Sequence, residues 1–145
     1  MKKIIILANF LFIFSSYAAP SSEECLGIDT GVTISMTNTM IRDFGIKQTD
    51  LLLKNTKVKL LHSELVSYTF ADYLAKKTLE GEIFSSKRLE GLRKMYMFEN
   101  VRNLVFEVIY ENKEKKHNTV IASALVDDTE CSVSFEGYLI VKKEF

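Results

Sequence analysis

The chain has 145 residues, of which 47% are hydrophobic and 26% are charged, and its formal net charge at pH 7 is zero. This composition is typical of a folded globular protein and excludes an intrinsically disordered chain. Because the charges balance, there is no electrostatic basis for binding nucleic acid, and we expect no nucleic-acid partner.

The first 18 residues have the pattern of a cleavable signal peptide. Lys2 and Lys3 give the basic start, and the apolar run after them is shorter than the roughly 20 residues that a membrane-spanning helix needs. Ser16 and Ala18 suit the −3 and −1 positions of a signal peptidase site. We therefore predict cleavage after Ala18, export to the periplasm or out of the cell, and no permanent membrane anchor.

Residues 19–145 are predicted to form a single globular domain, because no linker or internal repeat divides them. Cys25 and Cys131 are the only cysteines. In an exported protein an even number of cysteines indicates a disulfide, so we predict a Cys25–Cys131 bridge near the two ends of the domain. Free thiols or an intermolecular bridge are the alternatives. The wide spacing of the two cysteines does not match the Cys-x-x-Cys pattern of redox sites.

The N-terminal half is predicted to begin with strands. Residues Gly31 to Thr37 alternate apolar and polar side chains, which indicates a half-buried strand. Residues 38–56 have no clean period and stay open between helix and strand, and Gly45 disfavours a helix there. Lys57 to His62 is predicted to be a second short strand.

Two helices are predicted in the middle of the chain, over Ser67 to Lys77 and over Lys87 to Met97. Phe70, Tyr73 and Leu74 share one face of the first helix, and cations occupy its last turn, where they suit the helix dipole. Candidate N-cap residues are Ser67 or Thr69 for the first helix and Ser85 or Ser86 for the second.

The C-terminal third is predicted to be an antiparallel meander of three strands, because its alternating segments are joined by short polar turns. The strands are Leu104 to Glu111, Thr119 to Val126 and Cys131 onward, the last with a bulge or bend at Gly137. The whole chain is thus predicted to be α+β, with one or two helices on one face of an antiparallel sheet. The alternative is an all-β sandwich.

The sequence contains no recognisable catalytic or metal-binding motif. His62 and His117 are far apart and have no neighbouring ligands of the kind that zinc requires. There is no nucleophile elbow and no glycine-rich phosphate loop. We therefore predict no metal, no cofactor and no catalytic residue, although two carboxylates that meet in space would leave a hydrolase possible.

Lys113, Lys115 and Lys116 form a small basic tip on the predicted turn between two strands. A solvated turn explains them, and contact with an acidic partner is the functional alternative. The sequence thus favours a small exported non-enzymatic binding or accessory protein, of the inhibitor or immunity type, that acts on a protein partner. The alternatives are a carboxylate-dependent hydrolase and a structural component of an envelope or secretion assembly.

Overall fold

A computed structural model describes residues 22–145, and the predicted signal peptide lies outside the described residues. The described chain has an α+β fold with three α-helices and one four-stranded antiparallel sheet, which confirms the predicted fold class. The elements in chain order are α1 (Gly31–Phe44), β1 (Lys57–Leu65), α2 (Tyr68–Thr78), α3 (Ser86–Met95), β2 (Arg102–Glu111), β3 (His117–Val126) and β4 (Ser134–Lys142).

The four strands lie in sequence order, β1-β2-β3-β4, so that each strand pairs with its neighbours in the chain. The predicted three-strand meander is therefore present, with β1 added at its edge. Gly137 has a φ of 129° and lies at a register shift between β3 and β4, as expected for a bulge. Strand β4 begins at Ser134, so the prediction that it starts at Cys131 was wrong by three residues.

The strand predicted for Gly31 to Thr37 was wrong, because these residues form the first half of α1. The buried positions of the helix are Val32, Thr33, Met36 and Met40. They follow the helical period, whereas Ile34, which the strand interpretation would bury, is 46% exposed. The buried hydroxyl of Thr33 donates to the backbone carbonyl of Gly27, so its burial leaves no unpaired polar group.

Residues 38–56 contain the second half of α1 and two short 3-10 turns, Gln48–Asp50 and Leu53–Asn55. Gly45 does not interrupt the helix but ends it. Its φ is 66°, in the left-handed region, and the N–H of Ile46 donates to the carbonyl of Ile41, as in a Schellman C-cap. The glycine that disfavoured a helix in the sequence is thus its terminator.

One hydrophobic core lies between α1 and one face of the sheet. The even-numbered residues of β2, from Leu104 to Tyr110, point into it and are at most 1% exposed. Met36 and Met40 of α1 belong to the same cluster and are fully buried. The apolar side of α1 packs on the residues of β2 that point to one face of the sheet, and this face is therefore buried.

Helices α2 and α3 form a hairpin with a second, smaller core of its own. Its buried residues include Leu74, Tyr96 and Leu125, and Leu125 comes from the face of the sheet opposite to α1. The Oγ of Ser67 accepts from the N–H of Phe70, and the Oγ of Ser85 accepts from the N–H of Arg88. Each helix therefore has the serine N-cap that its sequence predicts.

Candidate functional site

The two cysteines are brought together, with 2.03 Å between their sulfur atoms, which is disulfide distance. Cys25 is fully buried and belongs to the main core, while Cys131 lies in the connection between β3 and β4. The start of α1 approaches this connection closely, since a Cβ built on Gly31 would lie 2.5 Å from the Cβ of Ser132. Only glycine fits at this position, so the start of α1 packs directly against Ser132, the residue after Cys131.

The three lysines of the predicted basic tip lie together on the turn between β2 and β3. The Oδ1 of Asn112 accepts from the N–H groups of Glu114 and Lys116, both at 2.9 Å, and so fixes the turn. The ammonium of Lys116 lies 2.6 Å from the carboxylate of Glu114. Their hydrogen bond lowers the pKa of Glu114 and raises that of Lys116. One of the three cations is thus already paired within the turn.

A cleft of about 490 Å³ opens beside this turn. Of the three lysines only Lys113 lines it, and its N–H donates to the carbonyl of Asp50. The other lining residues come from the end of α1, the segment after it, the β2–β3 turn and the last residue: Phe44, Gly45, Ile46, Lys47, Asp50, Asn112, Glu114 and Phe145. The lining combines apolar side chains, such as Phe44 and Ile46, with charges of both signs, such as Lys47 and Asp50.

The histidines lie apart on the surface of the sheet. Nε2 of His62 is 3.3 Å from the carboxylate of Glu64, and Nε2 of His117 is 3.4 Å from that of Glu111. Over residues 22–145, no group of three or more His, Cys, Asp or Glu side chains is placed to hold a metal ion.

The carboxyl groups with displaced pKa values are all displaced downward within the described chain. Asp72 is a representative case, because hydrogen bonds from Lys76 and Arg93 lower its pKa. In Asp127 burial would raise the pKa, but hydrogen bonds from the hydroxyl and N–H of Thr129 and the N–H of Glu130 outweigh that effect and lower it. The remaining three are Asp43, Glu114 and Glu144. These groups are ionised near neutral pH, whereas a general acid needs a raised pKa.

An exposed apolar surface lies at the tip of the α2–α3 hairpin. We call it the hairpin tip and define it by Tyr73, Ile83 and Phe84. The side chain of Ile83 is fully exposed, and Tyr73 and Phe84 line a groove of about 530 Å³. Sequence reasoning missed this surface. The available signal was an apolar pair, Ile83-Phe84, placed between Gly81 and Ser85 where a polar turn is expected.

Three of the cations around the hairpin tip are paired within the molecule. Lys76 lies 2.6 Å from Asp72, Lys77 lies 3.6 Å from Glu136, and Arg88 lies 2.7 Å from Glu82. The charges around the exposed apolar side chains are therefore of both signs and mostly paired, and they do not form a field of one sign.

Between residues 22 and 145, no helix combines the length and the apolar character needed to cross a membrane. Comparisons of the chain with protein-family models, with characterised proteins and with solved structures returned no match.

Proposed function

We propose that this protein is an exported, non-enzymatic binding module that engages a protein partner through its hairpin tip. The observation that carries the proposal is the fully exposed Ile83 beside the groove lined by Tyr73 and Phe84. An exposed apolar side chain that belongs to neither core lowers the solubility of the isolated protein, and its burial against a partner is favourable by the hydrophobic effect. Aromatic and large aliphatic anchors of this kind supply most of the energy of protein interfaces.

The topology supports the same proposal. Strands β1 and β2 are adjacent and antiparallel, and such strands need a loop of only about two to five residues. Here the connection is the whole α2–α3 hairpin, closed at its base by a hydrogen bond of 2.8 Å from the N–H of Val66 to the carbonyl of Val101. The hairpin is not needed to join the strands, so a role in binding accounts for its presence.

The paired charges favour a protein over a lipid surface or a nucleic acid as the partner. Anionic membranes and nucleic acids attract clusters of unpaired cations, whereas at the hairpin tip Lys76, Lys77 and Arg88 each face a carboxylate. An apolar centre with a rim of mixed charges resembles the usual layout of a protein interface. The basic tip of Lys113, Lys115 and Lys116 remains a second candidate contact.

Export is part of the proposal. The signal-peptide pattern of residues 1–18 supports it, and a cysteine pair at disulfide distance is compatible with an oxidising compartment. The hydrolase alternative receives no support from the carboxyl groups. Within the described chain, every carboxyl group whose pKa is displaced has a lowered pKa, whereas a general acid needs a raised one.

The proposal is tested by affinity capture from the envelope and culture medium of the native cell, with the exported protein as bait. The informative variant is Ile83→Asp, and the control is Lys54→Ala, which changes an exposed turn before β1, at the opposite end of the sheet and outside the basic tip. We expect one partner that the wild type and the control retain and that Ile83→Asp loses by more than tenfold. Equal recovery by all three baits, or a purified protein that turns over a substrate without any partner, would contradict the proposal.

A further inference from the structure

A second exposed apolar surface lies where the α2–α3 hairpin joins the sheet. We call it the hairpin base and define it by Leu65, at the end of β1, and by Met97 and Phe98, which follow α3. These side chains are 53%, 44% and 66% exposed and belong to neither core. The hydrogen bond from the N–H of Val66 to the carbonyl of Val101 joins the two segments that carry them, so both segments lie at the same end of the sheet.

The turn between β3 and β4 brings carboxyl groups to the hairpin base. The N–H of Asp128 donates to the carbonyl of Glu99 at 3.1 Å, so this turn is docked on the residue that follows Phe98. In the same turn the N–H of Asp127 donates to the carbonyl of Glu130. We call Glu99, Asp127, Asp128 and Glu130 the acidic rim, because their four carboxyl groups border the exposed ring of Phe98.

The acidic rim is not neutralised by cations of the described chain. The ion pairs of residues 22–145 all use other carboxyl groups. Arg102 is the register partner of Val126, next to the acidic turn, and it takes part in none of these ion pairs. The rim therefore keeps a net negative charge, unlike the mostly paired charges around the hairpin tip.

The geometry of the rim suits several separate cationic groups better than one metal ion. Oδ1 of Asp127 accepts three hydrogen bonds from Thr129 and Glu130, and Oδ2 of Asp128 accepts one from the side-chain amide of Asn100. These local bonds hold the carboxylates apart, and over residues 22–145 no three of them converge as metal ligands. The lysine and arginine side chains of a polypeptide reach separate carboxylates, whereas a bound cation needs several oxygen atoms at one point.

We propose that the hairpin base is a docking site for a cationic segment of a protein partner. One apolar side chain of that segment packs on Met97 and Phe98, while its lysine or arginine side chains contact the acidic rim. An apolar centre with a charged rim is the usual layout of a protein interface, and the flexible thioether of Met97 adapts to the side chain that it meets. The site is distinct from the hairpin tip, since the 11 residues of α2 separate the two surfaces by about 16 Å.

The proposal is tested with three synthetic peptides that carry a fluorescent label. The first alternates lysines with leucines and has one central phenylalanine, the second has serine in place of every apolar residue, and the third has glutamate in place of every lysine. Binding to the exported protein is measured by fluorescence anisotropy at low and at high salt. We expect the first peptide to bind about tenfold more tightly than the second, and the third not to bind. Added salt should weaken the binding of the first peptide, because it screens the acidic rim.

The role of the rim is tested by the double variant Glu99→Gln/Glu130→Gln. Glutamine keeps the oxygen of residue 99 that accepts from the hydroxyl of Thr129, so the turn stays docked. The matched control is Asp50→Asn/Glu80→Gln, which removes two exposed charges that also lack an ion pair but lie outside the hairpin base. We expect the rim variant to bind the first peptide about tenfold more weakly, and the control to bind like the wild type.

The apolar contact is tested by Phe98→Ser, with Ile83→Asp as the control at the hairpin tip. Phe98 is exposed, so its replacement keeps the fold, which thermal unfolding checks. We expect Phe98→Ser to weaken binding of the first peptide about tenfold and Ile83→Asp to leave it unchanged. Unchanged binding by Phe98→Ser, or equal losses in the rim variant and its control, would overturn the proposal. Loss of peptide binding in Ile83→Asp alone would also overturn it, while the proposed role of the hairpin tip would stand.

Discussion

Breaking the Cys25–Cys131 bridge is the most direct perturbation of this fold. The two cysteines are 106 residues apart in the chain, so the bridge closes a loop that spans almost all of the described residues. In the chain-entropy model a loop of this length stabilises the folded state by about 5 kcal/mol, through restriction of the unfolded chain. A domain of this size has a free energy of unfolding of about 5 to 15 kcal/mol, so the bridge accounts for a large share of it.

The measurement is urea unfolding of the oxidised protein, of the same protein in reductant, and of the Cys25→Ala/Cys131→Ala double variant. With a typical dependence of about 2 kcal/mol per M, a loss of about 5 kcal/mol lowers the unfolding midpoint by roughly 2 to 3 M urea. The reduced wild type is the cleaner comparison, because it keeps the sulfur of Cys25 in the core. The double variant should lose slightly more, since alanine leaves a small cavity there.

A reduced protein whose midpoint lies within about 0.5 M urea of the oxidised one would refute the reasoning. That result would mean that the unfolded chain is already restricted without the bridge, or that the bridge does not form. Alkylation of the unreduced protein separates these two cases, because only free thiols react.

Two further predictions concern local structure. Gly91→Ala should raise the free energy of unfolding by about 1 kcal/mol, because a Cβ there meets open space on α3. Gly31→Ala should lower it, because its Cβ would clash with Ser132. Equal effects of the two substitutions in thermal unfolding would contradict the close approach of Gly31 to Ser132. Asp127→Ala should cost about 2 kcal/mol at pH 7, because Oδ1 of Asp127 accepts three hydrogen bonds. These bonds lower the pKa of Asp127 below 3.8, so its contribution to the free energy of unfolding is complete above that pH and is lost as the pH falls through the folded-state pKa. The difference in the free energy of unfolding between wild type and variant should therefore become smaller in acid. A difference that does not change with pH would contradict the role given to Asp127.

The C-terminal meander was predictable because its information is local. Strand β2 alternates along its length, and a short polar turn leads directly into β3, so the pattern and the pairing are both visible in the sequence. The helix α1 was not predictable in the same way. Its sequence alternates over Gly31 to Thr37, but its burial is decided by Met36 and Met40 against a sheet that is formed far later in the chain. Tertiary packing therefore overrode the local pattern.

The candidate sites also differ in whether the sequence alone could predict them. The Cys25–Cys131 pair could be predicted because these are the only two cysteines, and the lysines of the β2–β3 turn because a polar turn is visible in the local sequence. The groove at the hairpin tip could not, since Tyr73 and Phe84 come from α2 and from the loop after it and meet only when the hairpin closes.

The topology explains why the hairpin tip can act independently of the main core. The bridge joins the segment before α1 to the connection before β4, so it fixes the sheet and α1 together without touching the α2–α3 hairpin. The hairpin has its own small core and is closed at its base by the Val66–Val101 hydrogen bond, so a substitution at Ile83 disturbs neither the main core nor the edge strand. Substitutions at Ile83 and in the main core should therefore have additive effects on stability, while only the substitution at Ile83 weakens partner binding.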